Sequence, residues 1–168
     1  MRIREARVDD VEKIAGIHVA SWQSTYKGII SETYLSNLTI ESRVKNWLWT
    51  FNNLNDFEKV FVAETEEGNI VGFSNGGRSR YHEYKHDGEL YAIYLLKNYQ
   101  RLGIGRMLFR SVVESLKENG CTSMMLWVLE NNPAVSFYKS LGGRSIGRKT
   151  ITIGGDRLVE LAIGWDSL

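Results

Sequence analysis

The sequence has one cysteine, one proline and no long apolar run, and each scarcity excludes a class of protein. Because a single cysteine cannot form an internal disulfide framework, Cys121 favours a reducing compartment. No stretch approaches the roughly 18 apolar residues of a membrane-spanning helix. The charged N-terminus is not followed by the apolar segment of a signal peptide. We therefore expect a cytoplasmic protein with no membrane partner.

A surplus of positive charge is also missing. The 168 residues include 21 Lys and Arg against 20 Asp and Glu, which gives a formal net charge of +1. A nucleic-acid-binding protein ordinarily has a basic excess, so no nucleic-acid partner is expected. Hydrophobic residues make up 43% of the chain, which is typical of globular proteins. The length favours a single domain over residues 1–168.

The hydrophobic periodicity predicts a mixed α/β fold. Strands are predicted at residues 3–8, 60–63, 70–73, 89–96 and 124–129, with two more on either side of Gly154 and Gly155. Helices are predicted after Asp10 and at residues 31–38, 40–52, 103–118 and 133–141. The strand, helix and strand between residues 89 and 129 imply one parallel pair, and the other strands read as antiparallel. We therefore expect a mostly antiparallel sheet with one central parallel strand pair and helices on both faces.

The segment from Gln100 to Arg106 carries the strongest functional signal. It follows an apolar strand and opens an amphipathic helix, and Gly103 and Gly105 let the backbone approach a ligand closely. The positive end of the helix favours an anion such as a pyrophosphate, to which Arg101 and Arg106 add charge. An ordinary tight turn before a helix is the alternative interpretation.

Two well-known phosphate-binding motifs do not match this turn. A dinucleotide-binding fingerprint needs a third glycine where Leu108 stands. A P-loop needs lysine and then serine or threonine after its last glycine, but Gly105 is followed by Arg106 and Met107.

A third motif does match. Gln100-x-x-Gly-x-Gly105, preceded by Tyr91–Leu95, resembles the acetyl-CoA signature of the GNAT family of N-acetyltransferases. A second block of the same family is similar to Leu126–Tyr138 and the Ser140–Gly143 segment that ends it. A weaker likeness, Ser21-Trp22-x-x-x-Tyr26-x-Gly28, is typical of the first helices of bacterial members. The order and separation of the blocks also agree with the family.

The resemblance implies a GNAT-like fold and an N-acetyltransferase of the bacterial small-acceptor type. Such an enzyme transfers the acetyl group of acetyl-CoA to a primary amine by direct nucleophilic attack, without a metal. The expected partner is a small-molecule or peptide amine acceptor, and a homodimer is a common arrangement. His82 and His86 lie in a polar stretch whose spacing does not form a zinc site.

The resemblance also implies which residues bind the cofactor. Ile93 and Leu95 would offer backbone groups to the pantetheine arm, residues 101–106 would hold the pyrophosphate, and Asn131 or Asn132 would bind pantetheine. A second interpretation of Asn132 is that it caps the helix begun by Pro133. The full set expected to bind cofactor is Ile93, Tyr94, Leu95, Gln100, Arg101, Leu102, Gly103, Ile104, Gly105, Arg106, Asn131 and Asn132.

Two residues are candidates for proton transfer. Tyr138 occupies the position at which the family places a phenol near the cofactor sulfur, where it can protonate the departing thiolate. Glu89 stands eleven residues before Gln100, the spacing of a base-acting glutamate in histone-type members. The alternatives are a core aromatic for Tyr138 and, for Glu89, a solvated strand-end charge or a water chain to another group.

The acceptor pocket is predicted only by composition. Aromatic rings are frequent near the N-terminus and in the polar stretch, and a cationic amine would suit such rings beside a carboxylate. The candidates to line this pocket are some of Trp22, Tyr26, Tyr34, Trp47 and Trp49, together with Tyr81 and Tyr84, and the sequence does not select among them. Two rival functions stay open at this point: an acyl-CoA-binding regulatory module without turnover, and an α/β protein for another nucleotide.

Overall fold

The computed structural model describes residues 1–168 and contains seven strands and five helices. The strands are β1 (Arg2–Glu5), β2 (Lys59–Glu64), β3 (Ile70–Arg78), β4 (Gly88–Leu95), β5 (Met124–Leu129), β6 (Arg144–Ile153) and β7 (Asp156–Trp165). The helices are α1 (Val11–Thr25), α2 (Glu32–Ser36), α3 (Ile40–Asn52), α4 (Ile104–Glu118) and α5 (Ala134–Ser140).

All seven strands form one sheet in the order β1-β2-β3-β4-β5-β7-β6. Every neighbouring pair is antiparallel except β4 and β5, which are parallel and are joined through α4. The predicted sheet, with its single central parallel pair, is therefore confirmed. The largest difference lies in β3, which was predicted at residues 70–73 but continues to Arg78 because β2 and β4 both pair with it.

The parallel pair is short, and this shapes the molecule. Only Gly88 with Met124 and Glu89 with Met125 are paired between β4 and β5. Directly after this pair the register of β4 against β3 shifts by one residue, which leaves Tyr91 as an extra residue in β4. Because such a bulge bends its strand, β4 diverges from β5 and a gap opens inside the sheet.

Helices cover both faces of the sheet, as predicted. On one face α1 and α3 pack on β2 and β3, with Ile14, Trp47 and Phe73 in a shared apolar cluster. On the other face α4 packs on the centre of the sheet through residues such as Leu108 and Val112. The gap between β4 and β5 therefore lies between two layers of helices.

The helices themselves are modest in length. The longest, α1 and α4, have 15 residues each. The inward face of α4 carries Leu108, Val112 and Leu116, while its outward positions include Arg110 and Lys117. None of the helices has both the length and the apolar character that crossing a membrane requires.

Candidate active site

A cavity of about 760 Å³ occupies the gap between β4 and β5. Its wall is formed by β4, β5, the first turn of α4, the start of α5 and the C-terminal end of α1. Most of the residues expected from the sequence lie on this wall: Glu89, Ile93, Tyr94, Leu95, Gln100, Arg101, Gly103, Gly105, Arg106, Asn132 and Tyr138. The fold therefore brings the two sequence motifs together around one cavity.

Three of the expected residues do not lie on the wall. Leu102 is 67% exposed, and Asn131 is exposed in the turn after β5. Ile104 is only 3% exposed, with its side chain in the core beside Leu108. At the turn before α4, Leu102 and Ile104 can therefore bind a ligand only through their backbone groups.

One edge of β4 is unpaired inside the molecule. Leu96 N donates to Val71 O of β3 at 2.9 Å. Because hydrogen-bonded residues alternate along an antiparallel pair, the backbone groups of Leu95 and Ile93 point the other way, toward β5. There β5 is too distant to pair, although Gln100 Nε2 donates to Leu95 O at 3.2 Å. Unpaired backbone groups at such a place suit an extended ligand that carries amides.

The turn before α4 has the geometry of an anion site. Gly103 has φ +82° and ends the turn. The first helical hydrogen bond is made by Arg106 N, which donates to Gly103 O at 3.0 Å, so the amides just before it have no intrahelical acceptor. Arg101 and Arg106 on the cavity wall add positive charge. Arg101 itself has φ +65° and is the only non-glycine residue with a positive φ.

Asn132 has both ends of its amide occupied by the protein. Its Oδ1 accepts from Ala134 N at 2.8 Å, which is the capping contact predicted from the sequence. Its Nδ2 donates to Tyr26 Oη at 3.2 Å. The structure therefore supports the capping interpretation and adds a bond from the start of α5 to the end of α1.

Tyr138 lies on the cavity wall with its ring in the core cluster of β5 and α4. The residue is 7% exposed, and its hydroxyl forms no hydrogen bond within the protein. Burial raises the pKa of the Tyr138 hydroxyl well above its usual range. The group is therefore a proton donor that faces the cavity without a partner of its own.

Two further hydroxyls form a cluster that the sequence did not reveal. Trp22 Nε1 donates to Tyr94 Oη at 2.9 Å, and Tyr94 Oη lies 3.5 Å from Tyr26 Oη. Because Trp22 and Asn132 both donate to this pair, one hydroxyl proton joins the two tyrosines and the other is left for a ligand. The spacing of Trp22 and Tyr26 had pointed to α1, but their partners are more than 65 residues away in sequence.

Glu89 is buried and paired. It is 1% exposed, and its carboxylate accepts from Arg80 N at 3.0 Å, Arg80 Nε at 3.1 Å and Arg80 Nη2. The guanidinium of Arg80 lies over the ring of Tyr91, 4.0 Å from its centroid. The alternative of a solvated strand-end charge is therefore wrong for Glu89, which is held by one arginine at the edge of the cavity.

A second carboxylate on the cavity wall, Glu160, was not predicted. It lies on β7 opposite Leu129 of β5, and its Oε2 is 3.6 Å from Lys149 Nζ of β6. Burial raises the pKa of Glu160, and the positive charge of Lys149 partly offsets this. The only signal in the sequence is a glutamate within a mostly apolar strand, which is too common a pattern to indicate a site.

The histidines and the cysteine lie away from the cavity wall. His18 of α1 packs against α3 and the ring of Tyr94, and Trp47 Nε1 donates to its Nδ1 at 3.3 Å. Burial and the charge of Arg43 lower the pKa of His18 to about 3, so the ring is neutral. No group of three or more His, Cys, Asp or Glu side chains is arranged to hold a metal ion.

Comparison with known sequences finds one matching family. Residues 20–142 match the model of the acetyltransferase (GNAT) family. The N-acetyltransferase YuaI of Bacillus subtilis is 39% identical over 166 residues, which cover 99% of this chain and 93% of that protein. A spermidine N(1)-acetyltransferase of Thermoplasma acidophilum is 26% identical over 148 residues, covering 84% of this chain and 87% of that protein.

Comparison with solved structures finds proteins that share this fold. The PaiA N-acetyltransferase of Thermoplasma acidophilum, solved with coenzyme A, has a TM-score of 0.70 at 24% identity and covers 95% of this chain and 96% of its own. An acetyltransferase of Salmonella typhimurium, solved with acetyl-CoA, has a TM-score of 0.72 at 18% identity. That match covers 98% of this chain and 92% of the other.

Proposed function

The chain belongs to the acetyltransferase (GNAT) family, and from this premise we propose that it transfers the acetyl group of acetyl-CoA to a primary amine by direct nucleophilic attack. One observation carries the proposal. The unpaired edge of β4, the free amides before α4 and the donor hydroxyl of Tyr138 all face the same cavity. These are the groups that a pantetheine arm, a pyrophosphate and a departing thiolate respectively require.

The co-substrate is held by the chain's own backbone and two cations. Ile93 and Leu95 bind the pantetheine amides as an added strand would. The amides from Gly103 to Gly105 bind the pyrophosphate together with Arg101 and Arg106. An amide on the same edge of β4 is available to the carbonyl oxygen of the thioester as charge develops there.

Two residues move the protons. The amine nitrogen forms a bond to the acetyl carbon and loses a proton, while the bond from that carbon to sulfur breaks. Glu89 accepts the proton, and since Arg80 occupies most of its lone pairs, the transfer passes through a water molecule. Tyr138 donates its proton to the thiolate sulfur, and coenzyme A leaves as the neutral thiol.

A thiol-release assay with acetyl-CoA and a panel of primary amines tests this proposal. At least one amine is expected to cause release of coenzyme A above the rate of hydrolysis, and Arg106→Ala is expected to raise KM for acetyl-CoA. Thermal stabilisation by acetyl-CoA with no release on any amine would contradict turnover and favour a regulatory module. Stabilisation by ATP or NAD but not by coenzyme A would contradict the cofactor itself.

Three expectations about organisation stay predictions. They are a single acetyltransferase domain over residues 1–168, a cytoplasmic location and a homodimer. A homodimer, the arrangement common in the family, would give twice the 19.2 kDa mass of the chain in size-exclusion chromatography with light scattering. A mass that stays at one chain at every concentration tested would contradict the homodimer.

A further inference from the structure

The two carboxylates of the cavity lie on one face of the sheet. Leu90 packs against α4, so Glu89 beside it points to the opposite face. Val128 also packs on the α4 side, so Leu129 and its partner Glu160 share the face of Glu89. Since Glu89 is paired with Met125, four residues before Leu129, the two carboxylates are offset by about 13 Å along β5.

The two carboxylates differ in how many hydrogen-bond acceptor positions remain free for a ligand. Glu89 is neutralised by the guanidinium fork of Arg80, which donates two hydrogen bonds to it, and the backbone N of Arg80 donates a third. Glu160 has a single ion pair, and its 3.6 Å separation from Lys149 is too long for a hydrogen bond. Glu160 is therefore the carboxylate on this wall that can still accept strong hydrogen bonds from an ammonium group.

The surroundings of Glu160 already bind one alkylammonium group, which is that of Lys149. Lys149 Nζ lies 3.8 Å from the ring centroid of Trp127 and 4.5 Å from that of Tyr81. A carboxylate beside aromatic faces is the chemistry that favours an ammonium ion. Lys149 stands on β6 at the edge of the sheet with 34% of its side chain exposed. Its Nζ also donates to Tyr81 Oη at 3.3 Å, so an incoming ammonium group would replace Lys149 in this hydrogen bond as well.

We propose that Glu160, with the rings of Trp127 and Tyr81, binds a second, non-reacting ammonium group of the acceptor, and that Lys149 occupies this subsite in the absence of acceptor. The substrate class is then an aliphatic diamine or polyamine rather than a monoamine. This inference rests on the proposed N-acetyltransferase function. It makes opposite predictions for the two residues, because Glu160 attracts the ammonium and Lys149 competes with it.

The experiment compares α,ω-diamines of three to six carbons with n-alkylamines of the same lengths. For diamines, Glu160→Gln is expected to raise KM by about tenfold or more, and Lys149→Gln is expected to lower it. For alkylamines, both variants are expected to stay within about twofold of wild type. Glu130→Gln is the matched control, because Glu130 loses the same charge outside the cavity, where it pairs with Arg148 at 3.7 Å.

The possible results distinguish a failure of the ammonium subsite from a failure of the proposed N-acetyltransferase function. Equal losses on diamines and alkylamines would assign Glu160 to the reacting nitrogen and overturn the subsite. If Lys149→Gln raises KM for amino-acid acceptors and leaves KM for diamines unchanged, Lys149 binds the carboxylate of an acceptor and the ammonium subsite is overturned. If wild type acetylates no amine, the proposed function fails. Calorimetric titration of diamines into the enzyme with coenzyme A then decides the subsite, since equal binding by wild type and Glu160→Gln would contradict it.

Discussion

The side-chain amide of Asn132 joins the two halves of the cavity by donating to the hydroxyl of Tyr26, 3.2 Å away. Asn132 stands where β5 passes into α5, and Tyr26 stands at the C-terminal end of α1, 106 residues earlier. Both groups are almost completely buried, at 7% and 6% exposed. The bond therefore fixes the C-terminal end of α1 relative to the helix that carries Tyr138.

Removing the Tyr26 hydroxyl is expected to cost stability. In Tyr26→Phe the buried Nδ2 of Asn132 loses its acceptor, so the free energy of unfolding should fall by about 1–3 kcal/mol. Urea denaturation measures this change. Tyr34→Phe is the control, because Tyr34 is also an aromatic residue near Trp22 but its hydroxyl makes no hydrogen bond. Equal losses in the two variants would contradict the bond to Asn132.

Removing the Tyr138 hydroxyl is expected to lower turnover and leave stability almost unchanged. Since this hydroxyl has no partner in the protein, Tyr138→Phe should change the free energy of unfolding little. Turnover should fall by about tenfold or more, because the thiolate loses its proton donor. Steady-state kinetics at saturating acetyl-CoA measures the loss. Unchanged turnover would remove Tyr138 from the acid role.

The fold could be predicted because its signals are local. The apolar strand before Gly103 and the helix after it indicate a crossover unit without knowledge of any distant residue. The pairing of β4 and β5 is different, since the gap depends on a bulge at Tyr91 that only the register against β3 reveals. Periodicity predicts that a strand exists, but it does not predict where its partner stops pairing.

The residues of the site also differ in whether their signal is local or depends on contacts between distant segments. Tyr138 and Arg106 belong to continuous motifs and could be found from the sequence. Glu160 could not, because its importance comes from Lys149 and Trp127 on two other strands. The burial of Glu89 by Arg80 was also missed, because the polar stretch that contains Arg80 shows no hydrophobic pattern.

Two substitutions of Arg101 are expected to separate the effect of backbone strain on stability from the effect of charge on acetyl-CoA binding. Its φ of +65° disfavours any residue with a Cβ, so Arg101→Gly should be more stable than Arg101→Ala by about 1 kcal/mol. Both variants lose the same charge and should weaken acetyl-CoA binding to a similar degree, less so at high salt. Denaturation and calorimetric titration measure the two effects. Equal stability of the two variants would show that the strain is absent.

Asp10 is expected to control stability at acid pH. Its carboxylate accepts from Arg4 Nη1 at 2.7 Å and Nη2 at 2.9 Å, and these bonds hold the pKa of Asp10 below its usual range. A lowered pKa stabilises the fold above the unfolded pKa near 4, and this contribution is lost as the pH falls through the folded value. Asp10→Asn should therefore lose about 1.5–3 kcal/mol at pH 7 and depend less on pH in acid.

The exposed neighbour Asp9 is the control for this prediction. Urea denaturation of wild type, Asp10→Asn and Asp9→Asn between pH 3 and 7 measures the difference. Asp9→Asn should follow wild type throughout. A wild-type acid dependence retained in Asp10→Asn would contradict the role given to its bond with Arg4.

The pair of Glu89 and Arg80 tests whether the buried carboxylate is a base or only a structural partner. As the base, Glu89→Gln should lower kcat/KM by about 10²–10⁴. Arg80→Gln keeps the carboxylate and frees its lone pairs, so it should retain much of the rate. Thermal unfolding of both variants is the necessary control, because Arg80→Gln leaves a buried charge without its partner. If the two variants lose stability and rate to the same degree, Glu89 serves only to hold the loop that carries Arg80. Activity restored to Glu89→Ala by added small carboxylates, which fit the space left by the missing side chain, would instead support proton acceptance at this position.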